Sequence, residues 1–199
     1  MRSQQDTAGR LLGIDEINWR SLPAVYGDAG DTPKLIRRLY KAQKFQKAAD
    51  ELDYSLFHQG FITRAAIVAV PFFAEVAADQ SAPGRHEALG LLVGYAESIS
   101  MKGCRPADLG HPKMDRQAHA ALTACVPVLR PGLDDDDPQV RCDTAEILSL
   151  VERLPDDVTR ALRARLVAET DDTVLGALVG ALLVHGGLDE DEVARLRGC

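Results

Sequence analysis

The sequence is poor in aromatic residues: only 5% of its 199 residues are Phe, Trp or Tyr, with Trp19 the single tryptophan. Ala, Leu and Val dominate instead. β-Sandwiches lean on aromatic and β-branched side chains, so this balance favours close-packed helices and an all-α fold. Cysteine is scarce as well. Four occur, at 104, 125, 142 and 199, with no close pairing, and the leading MRSQQDTAGRLLG holds no apolar core of the length a signal peptide needs. A reducing cytoplasm is the expected location. Long apolar runs are also missing: Ala65 to Ala74 and Val174 to Val184 reach about half the roughly 20 residues that cross a bilayer, so no membrane span is expected. Positive charge falls short too, with 23 Lys and Arg against 30 Asp and Glu, a formal net charge of −7. Phosphate neutralisation needs clustered basic residues, so the balance argues against general nucleic-acid binding.

What is present is apolar and repetitive. A hydrophobic fraction of 46% supplies a continuous core without help from metal or disulfide. Slid against itself, the sequence aligns residues 62–96 with 118–152 at an offset of 56, without a gap. Val70-Pro71 falls on Val126-Pro127, Phe73 on Leu129, Arg85 on Arg141, Glu87 on Asp143, and Leu91-Leu92 on Ile147-Leu148. A second offset, of 35, places Asp136-Asp137 on Asp171-Asp172, Val140 on Leu175, Ile147 on Leu182 and Leu148 on Leu183. The chain therefore reads as a repeated unit of two helices, with an insertion after Ala96 over about residues 97–116.

The run LDDDDPQV, from Leu133 to Val140, looks like a metal loop or a helix start. Asp136 or Asp137 can cap exposed amides, Pro138 suits a first helical turn, and the carboxylates favour the positive end of the helix dipole. No calcium-loop spacing of acids and glycine follows, so the run is read as a helix start. Pro71 and Pro127, at one repeat position, imply a bend in each first helix. Asp31-Thr32-Pro33 opens a helix, Gly60 follows Leu52–His58, and Gly186-Gly187 stops Val174–Val184. Asp189 with Glu192 resembles a capping box for a last helix.

The segments VPFFAEVAAD, AHAALTACVPVLRPGLDDDDPQVRCDTAEILSLV and DDTVLGALVGALLVHG resemble HEAT repeats, over about residues 33–186. In such repeats a proline-bent first helix leads through an acidic turn to a second helix opening with Val-Arg. The wider pattern is similar to small bacterial HEAT-repeat proteins. This resemblance implies a right-handed α-solenoid of about four helix pairs with terminal capping helices. Residues 13–199 would form that single domain behind a flexible N-terminus, 1–12. It implies no reaction.

Catalytic and metal-binding patterns fail on inspection. His86-Glu87-Ala88-Leu89-Gly90 begins like the helical zinc-protease motif, yet Gly90 stands where the second histidine must be. There is no phosphate loop, dinucleotide fingerprint or Gly-x-Ser-x-Gly elbow. Cys104, His111, His119 and Cys125 invite a metal count, but the last two sit about 240° apart on one predicted helix. No catalytic residue, metal or cofactor is expected. Gly176 and Gly180, four apart in an apolar run, suggest close approach between stacked helices.

Between Lys34 and Lys47 lie six basic residues and no acidic one. On a helix from Pro33, Lys34, Arg37, Arg38 and Lys41 fall within about 60° of one direction, opposite Leu35, Ile36, Leu39 and Tyr40. That stripe is either a solvated face or a surface for an acidic or phosphate-bearing partner. Trp19, in the predicted helix DEINWRSLPAVYG, either covers the open end of the solenoid or stacks on a ligand. Arg85 and Arg141, at one repeat position, complete the candidate binding residues, and the 97–116 insertion either makes contacts or is simply tolerated. The expected function is a non-enzymatic scaffold, a regulatory or immunity-like subunit holding a protein partner on its concave face. One alternative is a HEAT-like nucleic-acid-binding protein or DNA glycosylase, although the basic cluster spans only about one repeat. Another is an auxiliary protein or lyase acting on a bound cofactor.

Overall fold

Apolar residues at three- and four-residue spacing become eight α-helices in a computed structural model that describes residues 11–58, 61–100, 112–188 and Glu192. The described chain is all-α apart from a two-residue antiparallel ladder. It divides into two compact units, Met1–Ile99 and Ser100–Cys199. No helix among the described residues is long and apolar enough to cross a membrane.

In the first unit, α1 (Thr32–Arg38) packs on α2 (Phe45–Leu56) and touches α3 (Arg64–Ala78), which is followed by α4 (Arg85–Ser100). The ladder, β1 (Phe57–His58) with β2 (Phe61–Ile62), turns the chain from α2 into α3. Thr63 then caps α3 by accepting the Ala66 amide at 3.1 Å. Ile36, Leu39, Leu52, Leu56, Phe73, Leu89, Leu92 and Tyr95 are fully buried, and Phe57 meets the Tyr95 ring edge-on at 6.3 Å. Pro71 lies inside α3 on the exposed side, where the carbonyl that loses its partner can face water.

The terminal helix expected around Trp19 does not form. Residues 11–31 run through turns, with only a 3₁₀ turn at Trp19–Ser21 and a bridge between Pro23 and Asp28. Leu11, Gly13 and Gly27 take positive φ values of 57°, 79° and 80°, which no right-handed helix accommodates. The segment is anchored instead by side chains. The Leu11 amide donates to Glu75 on α3, and the Trp19 indole donates to the Ile14 carbonyl at 2.8 Å.

In the second unit, α5 (Pro112–Leu129) passes through a 3₁₀ turn, Arg130–Asp134, into α6 (Pro138–Ser149), followed by α7 (Asp156–Ala168) and α8 (Asp172–Val184). α6 packs mainly on α8, and α7 also packs on α8. The aspartate run does start a helix: Asp137 accepts the Gln139 amide at 2.9 Å, and Asp135 accepts the Asp137 amide at 3.0 Å. Pro127 lies inside α5, exposed like Pro71. α8 ends at Gly186, whose φ of 65° is a left-handed helix stop.

Burial follows the offset of 56: Ala66 and Leu122, Val70 and Val126, Phe73 and Leu129, and Leu92 and Leu148 are buried in both segments. The second offset shifts by one. Asp171, not Asp172, caps α8, by accepting the Thr173 and Val174 amides, so the two capping aspartates, Asp137 and Asp171, lie 34 apart rather than 35. Accordingly Val174 and Leu182 are buried, while Leu183 is 45% exposed. The close approach expected at Gly176 and Gly180 is absent: a Cβ at either would meet no described atom within 4 Å. α4 continues to Ser100 and α5 begins at Pro112, so both helices extend into the expected insertion. Residues 101–111, with Cys104 and His111, lie outside the described residues, as do residues 1–10, Gly60, Asp189 and most of the expected last helix.

Candidate functional site

The basic window folds as a corner rather than a straight helix. Leu35, Ile36 and Leu39 are buried and Lys34 is exposed, so the expected phase of α1 holds. The helix nevertheless ends at Arg38. Its last amides tighten to bonds three residues back, Tyr40 to Arg37 and Lys41 to Arg38. The Leu39 carbonyl accepts the Gly84 amide at 2.8 Å, which takes up the acceptor that a helical bond from Gln43 would need. Gly84 is required at this approach, since a Cβ there would stand 2.7 Å from the Leu39 carbonyl oxygen and 2.9 Å from the Phe45 Cβ.

The corner brings side chains of two helices together. Arg38, Gln43, Lys44 and Lys47 line a depression of about 230 Å³. Glu51, one turn beyond Lys47, reaches Lys47 at 3.7 Å and Arg38 at 3.8 Å. Two cations thus reach one carboxylate, with Lys44 a third in the same lining, and both pairs are too long and too exposed to bind tightly. α2 adds to the positive potential, because Lys44 at its N-cap has no side-chain oxygen to offer and its first turn has no acid. Such a site suits an anion with several oxygens.

The other candidate residues are placed differently. Arg37 pairs with Asp15 and so holds the N-terminal segment against α1. Lys41 is exposed in the turn past α1, outside the depression's lining. Trp19 is 4% exposed, in the core, with the Phe72 ring 6.2 Å away. Arg85 donates from Nε to the Ala77 carbonyl at 2.8 Å. Arg141 is buried: it donates to both carboxylate oxygens of Glu169, at 2.7 and 2.9 Å, and to the Asp135 and Asp136 carbonyls, at 2.8 and 3.1 Å. Both arginines, which the offset of 56 aligns, therefore reach back to the main chain of the segment that precedes their own helix. Arg141 beside Glu169 holds that carboxyl well below the usual carboxylate range, aided by the Asp171 and Thr170 amides and Arg165.

Helix phase does not single out Lys44, Lys47 and Gln43, because a straight helix does not turn them toward Arg38. Cys125 and Cys142 are no nucleophiles at neutral pH, since burial above all pushes both thiols up to about 11. His119 is buried, with Nδ1 3.7 Å from Glu152. Comparison with known proteins finds no match to a family profile, to a curated protein or to a solved structure.

Proposed function

We propose that the chain is a non-enzymatic binding scaffold, a regulatory or immunity-like subunit, that receives an acidic or phosphate-bearing segment of a protein partner at the corner between α1 and α2. The observation that carries this reading is the cation excess around one depression, Arg38, Lys44 and Lys47 against Glu51, in a chain whose net charge is −7. Local positive potential in an acidic protein selects and steers an anionic partner. We further read the helix pairs as HEAT-like repeats of a right-handed α-solenoid. Shared burial at the offset of 56, an exposed proline inside both α3 and α5, and the packing of α6 on α8 support that reading.

The test is a titration of purified protein with a degenerate phosphoserine peptide library at several salt concentrations. Lys44→Glu/Lys47→Glu should weaken binding by about tenfold or more and flatten its salt dependence. Equal binding by wild type and variant would return the corner to ordinary solvated surface.

A further inference from the structure

The exposed side of α2 does not stop at the depression. Lys44, Lys47, Glu51 and Tyr54 follow one another at spacings of three and four, while Ala48, Ala49, Leu52 and Leu56 are buried on the other side. Tyr54 is 64% exposed and stacks on Tyr26, itself 58% exposed, with ring centroids 4.9 Å apart and planes at 22°. The Tyr26 loop is fixed in place: Pro23 bridges Asp28, and the Val25 amide donates to the Ser55 carbonyl at 2.8 Å. The Tyr54 hydroxyl hydrogen-bonds to Tyr26, which raises its pKa above the ordinary tyrosine value. Two large rings held together in water present an apolar platform that the core does not use.

We propose that this side of α2 is a docking strip for an extended peptide segment that carries a phosphorylated serine or threonine and, three or four residues away, a proline or aromatic ring. The proposal rests on the reading of the corner as an anion-accepting site and specifies the partner's chemistry. Arg38, Lys44 and Lys47 against Glu51 leave a formal charge of +2, which complements the roughly −1.5 to −2 of a phosphorylated side chain better than a single carboxylate. Tyr54 lies seven residues beyond Lys47 and ten beyond Lys44, about 10–15 Å along the helix axis. An extended peptide covers that distance in three or four residues at about 3.3 Å each. Asp50 and Glu51 occupy the stretch between the two ends. A nucleic-acid strand would bring further phosphates against those carboxylates, whereas a peptide needs only one anionic group.

The test uses the purified full chain and an oriented peptide library with one fixed phosphoserine and degenerate flanks. Rings should be enriched three or four positions to one side of the phosphoserine and not elsewhere. The best peptide should bind about tenfold or more weakly to Lys44→Glu/Lys47→Glu, and about three- to tenfold more weakly to Tyr26→Ser/Tyr54→Ser with an unchanged circular dichroism spectrum. A phosphoserine peptide with only Gly and Ser flanks should bind the tyrosine variant as it binds wild type. Ring-independent binding that still requires Lys44 and Lys47 overturns the docking strip and leaves the anion-accepting corner standing. Binding indifferent to phosphoserine and to the lysines overturns both. Tighter binding of a 5′-phosphorylated oligothymidine than of any peptide overturns the strip in favour of nucleic acid.

Discussion

Around Glu169, in the second unit, Arg141 and Arg165 and the amides of Thr170 and Asp171 all donate to one buried carboxylate at 2.7–3.1 Å. Around Glu51, in the first unit, Lys47 and Arg38 reach the carboxylate only at 3.7 and 3.8 Å, and Lys44 adds a third cation. Each is a glutamate among cations, and the roles are opposite. Glu169 closes a set of donors that the fold has already committed, so nothing is left for a ligand. Glu51 leaves two positive charges uncompensated beside open space. Whole-unit charge points elsewhere, since residues 1–99 carry eleven basic and twelve acidic side chains and residues 100–199 twelve and eighteen. Neither unit is basic. The depression stands out through local geometry alone.

The largest effect expected of this contrast is at Glu169. Glu169→Ala leaves Arg141 buried without its partner and should cost about 3–5 kcal/mol in urea unfolding; a loss below about 1 kcal/mol would show that the cluster is not a closed lock. The carboxyl is held below its ordinary range, so its contribution is complete above the unfolded-state value of about 4.3. It is lost as pH falls from there toward the lowered folded value. Acid unfolding should therefore be shallower in Glu169→Ala than in the wild type over that window.

Next come two glycines that separate the units. A Cβ at Gly132 would collide with the Thr144 hydroxyl, and one at Gly84 with the Leu39 carbonyl. Gly132→Ala and Gly84→Ala should each cost about 1–3 kcal/mol. Only Gly84→Ala should also weaken phosphoserine-peptide binding, because it displaces the turn that brings Arg38 to Lys44. Binding that suffers equally in both variants would tie the site to the second unit.

A smaller change of opposite sign is expected at Gly176, where helical backbone meets open space. Gly176→Ala should stabilise the protein by about 0.5–1 kcal/mol, read from the thermal midpoint. A loss of stability there would restore the close helix approach that the sequence suggests. Smallest of all, Lys44→Glu/Lys47→Glu should change stability by no more than about 0.5 kcal/mol. A large loss would make those lysines structural, like Arg141.

Local pattern carried much of this fold. The phase of α1, the cap at Asp137, the stop at Gly186 and the burial of Val70, Val126, Leu92 and Leu148 follow from residues within a few turns of each other. The misses come from longer range or from chain geometry. α1 ends without a glycine or proline in its path, and just past its end the Leu39 carbonyl accepts an amide from 45 residues further on, that of Gly84. The corner at that point places Lys44 and Lys47 beside Arg38 in one lining. The segment around Trp19 has helical composition, yet Pro23 bridges Asp28 and the Val25 amide bonds the Ser55 carbonyl instead of a helical partner. The paired aspartates at 136–137 and 171–172 suggest an offset of 35, whereas the two that cap helices, Asp137 and Asp171, lie 34 apart.

The most direct measurement is a two-dimensional NMR titration of the labelled full chain with O-phosphoserine, following backbone amides and arginine Nε–H groups. Saturable shifts are expected at the Gln43–Lys47 amides and at Arg38 Nε, with Arg141 and Arg165 Nε unmoved. Saturable shifts at Arg141 or Arg165 with none at Gln43–Lys47 would contradict it.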